Sequence, residues 1–524
     1  MSIADWAALV LLCLLIIPIV GILFLTGWFL FRHERQQEHA ILRNYPVLGK
    51  MRYIIEKMGP ELRQYLYNND NEGKPFSRRD YLNVVLAGKY NSRSMGFGSE
   101  RNFEEGGYFI NNAMFPKQRA ELKIRQEPQI DTRLYHIDKE KLFNRREHGE
   151  TAVIKPFYLA EEHEVVIGES TARQPFRVKG LVGQSAMSYG ALGDHAITAL
   201  SKGLGMAGGT WMNTGEGGLS SFHLEGSPDI ICQIGPGLFG VRDKDGNFSH
   251  EEFKKKSDIP EIKAFELKLA QGAKVRGGHL EGQKVNEEIA KIRNVEPWKT
   301  VDSPNRFEHL PDADSLLNFV DELRDLGGKP VGIKIVVGNR GDLEHLFARM
   351  KERNVHPDFI TVYGGEGGTG ASFQELADST GLPIHQALPI VHETLIKYGI
   401  RDRVKIFASG KLLTPDKIAV ALALGADLVN IARGMMFSVG CIMAQVCHTN
   451  NCPVGVATTD PKLQKALSIE EKKYRVCNYV VSLREGLFNL AAAAGLESPV
   501  QFEAKHISLL NEAGKLKELE PAKS

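Results

Sequence analysis

The segment CIMAQVCHTNNCPVGVAT places Cys441, Cys447 and Cys452 at C-x5-C-x4-C spacing, with Pro453 directly after the last. Thiolates are soft ligands, and three close together with a following proline are how a chain wraps an iron–sulfur cluster. Three thiolates suit a cluster with one corner missing, or one whose fourth iron is bound otherwise. Two other readings stay open from the residues alone. Zinc would take the same cysteines with His448 as a fourth ligand. Three inert, buried cysteines would need no ligand at all. Cys13 lies in an apolar run, and Cys232 and Cys477 are isolated. Local spacing in so long a chain is not a secreted disulfide framework, so the globular part is expected in a reducing, cytosolic environment.

Three further stretches carry glycines where a phosphorylated ligand would need them. FITVYGG continues as EGGTGAS, VKIFASG ends at Gly410, and LVNIARG ends at Gly434. Backbone N–H groups cradle a phosphate only where no side chain blocks the approach. The plainer alternative is that these glycines make tight strand-to-helix turns.

Elements of regular structure must position these groups. From about residue 176, eight β-rich runs end in Gly or small polar residues: FRVKGLVGQSAM, GTWMNTG, DIICQIG, FELKLAQG, VGIKIVVG, FITVYGG, VKIFASG and LVNIARG. Amphipathic segments separate many of them. Leu316, Phe319, Val320 and Leu323 mark one helix face, and Thr414-Pro415-Asp416 reads as N-cap, N1 proline and first-turn acid. Eight strands alternating with helices predict an α/β fold, a closed (β/α)8 TIM barrel with its chemistry at the C-terminal strand ends. The three glycine-bearing stretches then follow strands 6, 7 and 8, the usual phosphate end of such a barrel.

The 524 residues leave room for one barrel with additions at both ends. The 65 Lys+Arg nearly cancel 64 Asp+Glu, for a net charge of +1, which offers no footprint for nucleic acid. Trp6 to Phe31 holds no charged residue. That exceeds the roughly 20 residues needed to cross a bilayer as a helix. Trp6 and Trp28 sit near its ends, and Arg32, His33 and Arg35 follow. The positive-inside rule then places the N-terminus outside and the barrel in the cytoplasm, on a single-pass anchor in the cell membrane. A cleaved signal peptide is the competing reading; it would have a basic front, a shorter apolar stretch and an A-x-A-like site. The expected organisation is an anchor over residues 1–33, an irregular extension over 34–160 packed on the barrel, the barrel over 161–470, and a helical tail over 471–524.

At this point the residues resemble a known family. AMSYGAL, NTGEGG, ELKLAQGAK, GGTGAS, RDRVKI and CIMAQVCHTNNCPVGVAT, spread over about 176–470, resemble the FMN and synthase part of glutamate synthase. The short, FMN-binding members fit better than the full-length enzyme. The resemblance implies FMN at the barrel mouth, a 3Fe–4S cluster on Cys441, Cys447 and Cys452, and reductive amination of 2-oxoglutarate to L-glutamate by hydride from reduced flavin. It implies that Lys274 and Arg293 bind the diacid, with Glu216 as an active-site carboxylate. FMN would contact Met187 and Ser188, Lys334, Gly365, Gly367, Gly368, Thr369, Gly370, Gly410, Ala432, Arg433 and Gly434. Two departures stand out. The loop after Lys274 reads VRGGH, with His279 nearest the family's Gln, and the family's Pro- and His-rich stretch appears only as Ser303-Pro304-Asn305-Arg306. No glutaminase or pyridine-nucleotide domain is visible, so ammonia or an amine and electrons are expected from elsewhere, the latter from a ferredoxin or reductase subunit. A membrane-tethered FMN and iron–sulfur electron-transfer module, an amine-transferring relative with another substrate, and a chemically silent FMN-binding paralogue are the alternatives.

Overall fold

A computed structural model describes residues 3–46, 48–141, 143–272, 274–275, 277–511 and 514–519. The chain divides into two compact units, Met1–Arg79 and Asp80–Ser524. In the first, helix α1 (Ile3–Arg35) carries the uncharged run, and its Val10–Arg35 portion is long and apolar enough to cross a membrane by length and composition. A short helix Ala40–Asn44 leads to α2 (Gly49–Leu62) and a further turn, Arg63–Tyr67.

The second unit is built on a closed, all-parallel barrel. Its strands are β1 (Val182–Gln184), β2 (Trp211–Asn213), β3 (Asp229–Ile234), β4 (Ile262–Lys268), β5 (Val331–Ile335), β6 (Phe359–Tyr363), β7 (Lys405–Ser409) and β8 (Leu428–Ile431). Each pairs with its neighbours in sequence order, and β8 closes on β1 through Ile431 opposite Gln184. All eight sequence runs supply these strands. In the first run only VGQ enters the barrel, while Phe176–Val178 pairs outside it with Val165–Ile167. Parallel strands covered by helices are buried on both faces, which is why β5 and β6 are buried throughout and show no alternation.

The barrel interior explains two glycines in mid-strand. A Cβ on Gly183 of β1 would lie 2.3 Å from the Trp211 ring of β2, and one on Gly332 of β5 would lie 2.4 Å from the Phe359 ring of β6. Large rings from even strands fill the space that glycines on odd strands leave open, as close packing requires. Trp211 donates from Nε1 to Asn430 Oδ1 at 2.7 Å. Beside it, the fully buried Glu266 carboxylate accepts hydrogen bonds from Asn213 Nδ2, Gln233 Nε2 and Thr361 Oγ1.

Helix α3 (Asp194–Ala207) follows β1. Helix α4 (Ala313–Gly327) buries Leu316, Phe319, Val320 and Leu323, starts on an Asp312 cap and ends at left-handed Gly328. Helix α5 (Pro415–Ala423) starts after Thr414, whose backbone takes the N-cap position while its hydroxyl makes no hydrogen bond. The long helix α6 (Ile469–Ala493) ties the flanking segments to the barrel. Asn478 on α6 accepts from Thr132 Oγ1 and donates to the Gly88 and Arg133 carbonyls, joining it to the hairpin of Ile130–Lys139 with Arg146–Ile154. Arg484 is buried and donates to the carbonyls of Pro156 and Ala207. Strand Ile507–Leu510 pairs with Gly107–Ile110, so residues from both ends of this unit share one sheet.

The Gly183 packing yields a test. Gly183→Ala forces a methyl into the Trp211 ring and is expected to destabilise the barrel by about 1–3 kcal/mol, the usual cost of overpacking. Denaturant unfolding followed by Trp fluorescence checks it; an unchanged midpoint would refute the packing account.

Candidate active site

Four charged side chains meet at the C-terminal mouth of the barrel. Glu216 follows β2 in the loop NTGEGG, Lys268 ends β4, Lys274 stands in the loop after β4, and Arg293 ends the short helix Glu287–Arg293. Lys268 Nζ donates to Glu216 Oε1 at 2.6 Å, with the two side chains 4% and 16% exposed. Lys274 and Arg293 are buried and act on the same carboxylate through space. Burial alone would raise the Glu216 pKa; Lys268 above all, with Arg293 and Lys274, outweighs it and holds the carboxyl below its usual range. Burial pulls the Arg293 guanidinium down to about 10 against the opposing pull of Glu216. Glu216 Oε2 and Arg293 Nε are buried without a hydrogen-bond partner among the described residues.

Loop geometry closes this cluster. A Cβ on Gly278 would stand 2.4 Å from Glu216 Oε1, and one on Gly217 would stand 2.7 Å from Arg293 Nη2. Both loops therefore approach the charges only as glycine. Arg293 Nη2 donates to the Tyr189 carbonyl at 3.1 Å, in the loop after β1. Lys274 Nζ donates to the Ala371 carbonyl at 2.9 Å, joining the loop after β4 to the loop after β6. His279 is turned to other partners: Nδ1 meets Asp302 Oδ1 at 2.7 Å and Nε2 meets Glu281 Oε1 at 3.2 Å. Burial disfavours its proton, but the bonds to Asp302 and Glu281 prevail and raise its pKa.

Most of the glycines after strands 6 to 8 lie in close packing. A Cβ would strike the Gly381 carbonyl at Gly365, the Tyr363 ring at Gly367, Ile384 at Gly410 and the Tyr479 hydroxyl at Gly434. Gly368 lies against the Arg433 guanidinium, and Gly370 faces open space apart from Ala191. Thr369 Oγ1 donates to the Ala371 carbonyl. Arg433 follows Ala432 into a short helix after β8, donates to the Glu366 carbonyl at 3.0 Å, and is held by burial below its usual pKa. On the other side, the Met187 amide donates to the Asn213 carbonyl, and the Ser188 carbonyl accepts from Ala191 and Leu192. The Met187 carbonyl receives His223 Nε2. Burial lowers the His223 pKa to about 4, so that ring is neutral, with its proton on Nε2 and Nδ1 accepting from the Ser220 amide.

Two side chains at the mouth fit a flavin. Gln184, the last residue of β1, is fully buried, and both its amide atoms are unpartnered among the described residues. Lys334 of β5 is buried, with its Nζ 4.5 Å from the Tyr363 ring centroid. Burial lowers its pKa to about 8. Such unmet bonding capacity is costly unless a ligand satisfies it, and a flavin ring has the matching N–H and C=O edge.

Cys441, Cys447 and Cys452 lie on one loop beyond β8, and all six cysteines of the chain are free thiols. Met443, Gln445 and Asn450 take left-handed backbone there, so the loop coils tightly. Burial pushes the Cys441 thiol up to about 12, with Cys447 and Cys452 adding to it; Cys447 is likewise raised by burial and by Cys452. The three thiols thus share one space. Among the described residues no three His, Cys, Asp or Glu side chains converge on a single ion, which is what zinc with His448 would need. Behind the loop, Lys284 is buried and its Nζ donates to the carbonyls of Ala191, Cys447 and Ala457, at 2.9, 3.1 and 3.2 Å.

A profile described as a conserved region in glutamate synthase matches residues 118–497. The chain belongs to the glutamate synthase family. The glutamate synthase large subunit-like protein YerD of Bacillus subtilis (strain 168) is 65% identical over 500 residues, covering 95% of this chain and 94% of its own. An archaeal glutamate synthase (NADPH) of Methanocaldococcus jannaschii is 33% identical, over 60% of this chain and 58% of its own length. The glutamate synthase (NADPH) large chain of B. subtilis is 31% identical, and the match spans 20% of it. Among solved structures, a flavocytochrome b2 mutant with pyruvate bound aligns over 87% of this chain and 91% of its own at 13% identity, with a TM-score of 0.44.

Within this glutamate synthase barrel, sequence reasoning missed Lys268, Gln184, His223 and Lys284. Lys268 had a signal: a lysine inside the apolar run FELKL is costly to bury without a carboxylate nearby. Lys284 had none, because its three partners come from segments distant in the chain. The His279 contacts predict a pH response. A raised folded-state pKa means that its contribution is full below the unfolded value of about 6.5 and is lost as pH rises through the folded value. Hydrogen exchange of residues 277–281 should therefore quicken with rising pH beyond the intrinsic rate, and His279→Gln should abolish that excess; equal behaviour of the two proteins would contradict the assignment.

Proposed function

We propose that this chain is a glutamate synthase-type flavoenzyme that reductively aminates 2-oxoglutarate to L-glutamate. One observation carries the reading: Lys268, Lys274 and Arg293 surround the single carboxylate Glu216 at the barrel mouth. Three cations against one anion leave a surplus that suits a substrate with two carboxylates. FMN held near Gln184 and Lys334 would supply hydride, and a 3Fe–4S cluster on Cys441, Cys447 and Cys452 would relay single electrons. Ammonia or an amine comes from solution or a partner, and electrons from a separate donor such as a ferredoxin or reductase subunit.

The chain's own groups divide the remaining work. Arg293 offers a planar fork to one carboxylate, and Lys274 a compact cation to the other. Glu216, kept ionised, has Oε2 available to accept a hydrogen bond from incoming ammonia and hold its nitrogen toward the keto carbon. Water leaves as the C=N bond forms, and hydride addition to that carbon with one proton on nitrogen completes glutamate. Burial of the cluster keeps bulk water from competing for the carboxylates. We further propose that α1 spans the cell membrane with its N-terminus outside and the barrel in the cytoplasm; the uncharged run and the basic residues after it support this. The engagement of His279 by Asp302 and Glu281 favours a second reading, a related amine-transferring enzyme for another keto acid or an FMN and iron–sulfur electron-transfer module.

Reduced, anaerobic protein should be reoxidised by 2-oxoglutarate with ammonia and should form glutamate. Response to a different keto acid alone would favour the relative with another substrate, and response to none the electron-transfer module. Losing one partner of a buried charge pair costs about 2–5 kcal/mol, so Arg293→Ala should weaken 2-oxoglutarate binding by roughly 1.5 to 3.5 decades with FMN content unchanged. Arg293→Lys should recover only part. Cys447→Ser should lose iron and change the EPR signal while the flavin stays; full iron with an unchanged signal would remove that residue from the ligand set.

A further inference from the structure

The apolar residues of α2 and its following turn repeat at helical spacing. Met51, Ile55, Met58, Leu62 and Leu66 recur at steps of three and four, which places them on one face. That face would be the buried one in a packed helix, yet Met51 is 56% exposed, Ile55 57% and Leu66 70%. By the same geometry Arg52 and Arg63 border the row on one side and Lys50 on the other, with Lys57 on the far face. Only Glu56 and Glu61 oppose these four cations within the segment.

The start of α2 is tied to a particular level of α1. Lys50 Nζ lies 3.9 Å from the centroid of the Phe29 ring, at the end of the uncharged stretch that Arg32 closes. Gly49 packs on the backbone of Ile41 and the side chain of Leu42, so the short helix Ala40–Asn44 fixes the turn between them. If α1 crosses a bilayer, Phe29 marks the boundary between acyl chains and headgroups. A helix that begins there with an apolar row flanked by cations has the composition of one lying in the interface, its cations meeting anionic headgroups.

We infer that α2 and the turn through Tyr67 form an interfacial helix that seats its apolar row in the surface of an anionic bilayer. The inference rests on the proposed membrane crossing of α1. The test uses the full-length protein in vesicles with about one-third anionic lipid. A benzoylphenylalanine photocrosslinker replacing Ile55 should yield phospholipid adducts, and the same group replacing Glu56 should yield few. Adducts from position 55 to the chain's own barrel or to a second copy would overturn the inference. Ile55→Glu combined with Met58→Glu should speed amide exchange over residues 49–66 by about ten-fold or more while the chain stays in the membrane; unchanged exchange would also overturn it. Alkaline extraction separates the two readings. Release of the wild-type chain would defeat the crossing of α1 itself, whereas retention with no lipid adducts at 55 would defeat only the interfacial helix.

Discussion

The barrel mouth is organised around one buried ion pair, Lys268 with Glu216 at 2.6 Å. Burying either charge alone would be prohibitive, and the pair is stable only because each offsets the desolvation of the other. Glu216 has a second role as a carboxylate that Lys268, Arg293 and Lys274 all act on, so the loops carrying Lys274 and Arg293 can approach without mutual repulsion prevailing. Those loops must come very close, and Gly217 and Gly278 are the positions where they do. Charge balance and glycine placement are thus two sides of one constraint: the mouth closes only where side chains are absent and charges are matched.

The cysteine loop is coupled to the same mouth through carbonyl groups. Lys284 gathers three of them, from the loop after β1, from Cys447 itself and from Ala457. Tyr189 continues the connection, accepting from Arg293 at its carbonyl and donating from its hydroxyl to Glu288. Tyr189 also packs with Leu280, Val285 and Ile289 in a small apolar cluster under the loop that carries His279. The cysteine loop and the charged mouth therefore share a scaffold, in which a buried ammonium holds backbone groups that would otherwise lack partners.

Glycine-rich strand ends have two physical causes, and the structure separates them. At Gly365, Gly367, Gly410 and Gly434 the chain's own atoms occupy the place of a side chain, so these residues serve turns and close packing. Gly370, in the loop after β6, opens on free space save for Ala191. Among the described residues at the mouth, the side chains with unpartnered buried atoms include Gln184, Glu216 and Arg293.

Much of the architecture was legible in the sequence because it follows from local rules. Eight apolar runs with small residues at their ends can be buried on both faces only in a helix-covered parallel sheet, and eight such strands close on themselves. The α4 face and the start of α5 were readable from helical spacing and from Thr414-Pro415-Asp416 for the same reason. The cysteine spacing and the uncharged N-terminal run were equally local. The convergence of Glu216, Lys268, Lys274 and Arg293 was not, since it depends on which strand ends and loops the closed barrel brings side by side. Nor did the sequence reveal that Asp302 and Glu281 take both nitrogens of His279, or that the Tyr479 hydroxyl from α6 is what Gly434 accommodates. Periodicity records which face of an element is buried; only the closed barrel decides which residues share the burial, because contacts between distant segments leave no regular spacing in the chain.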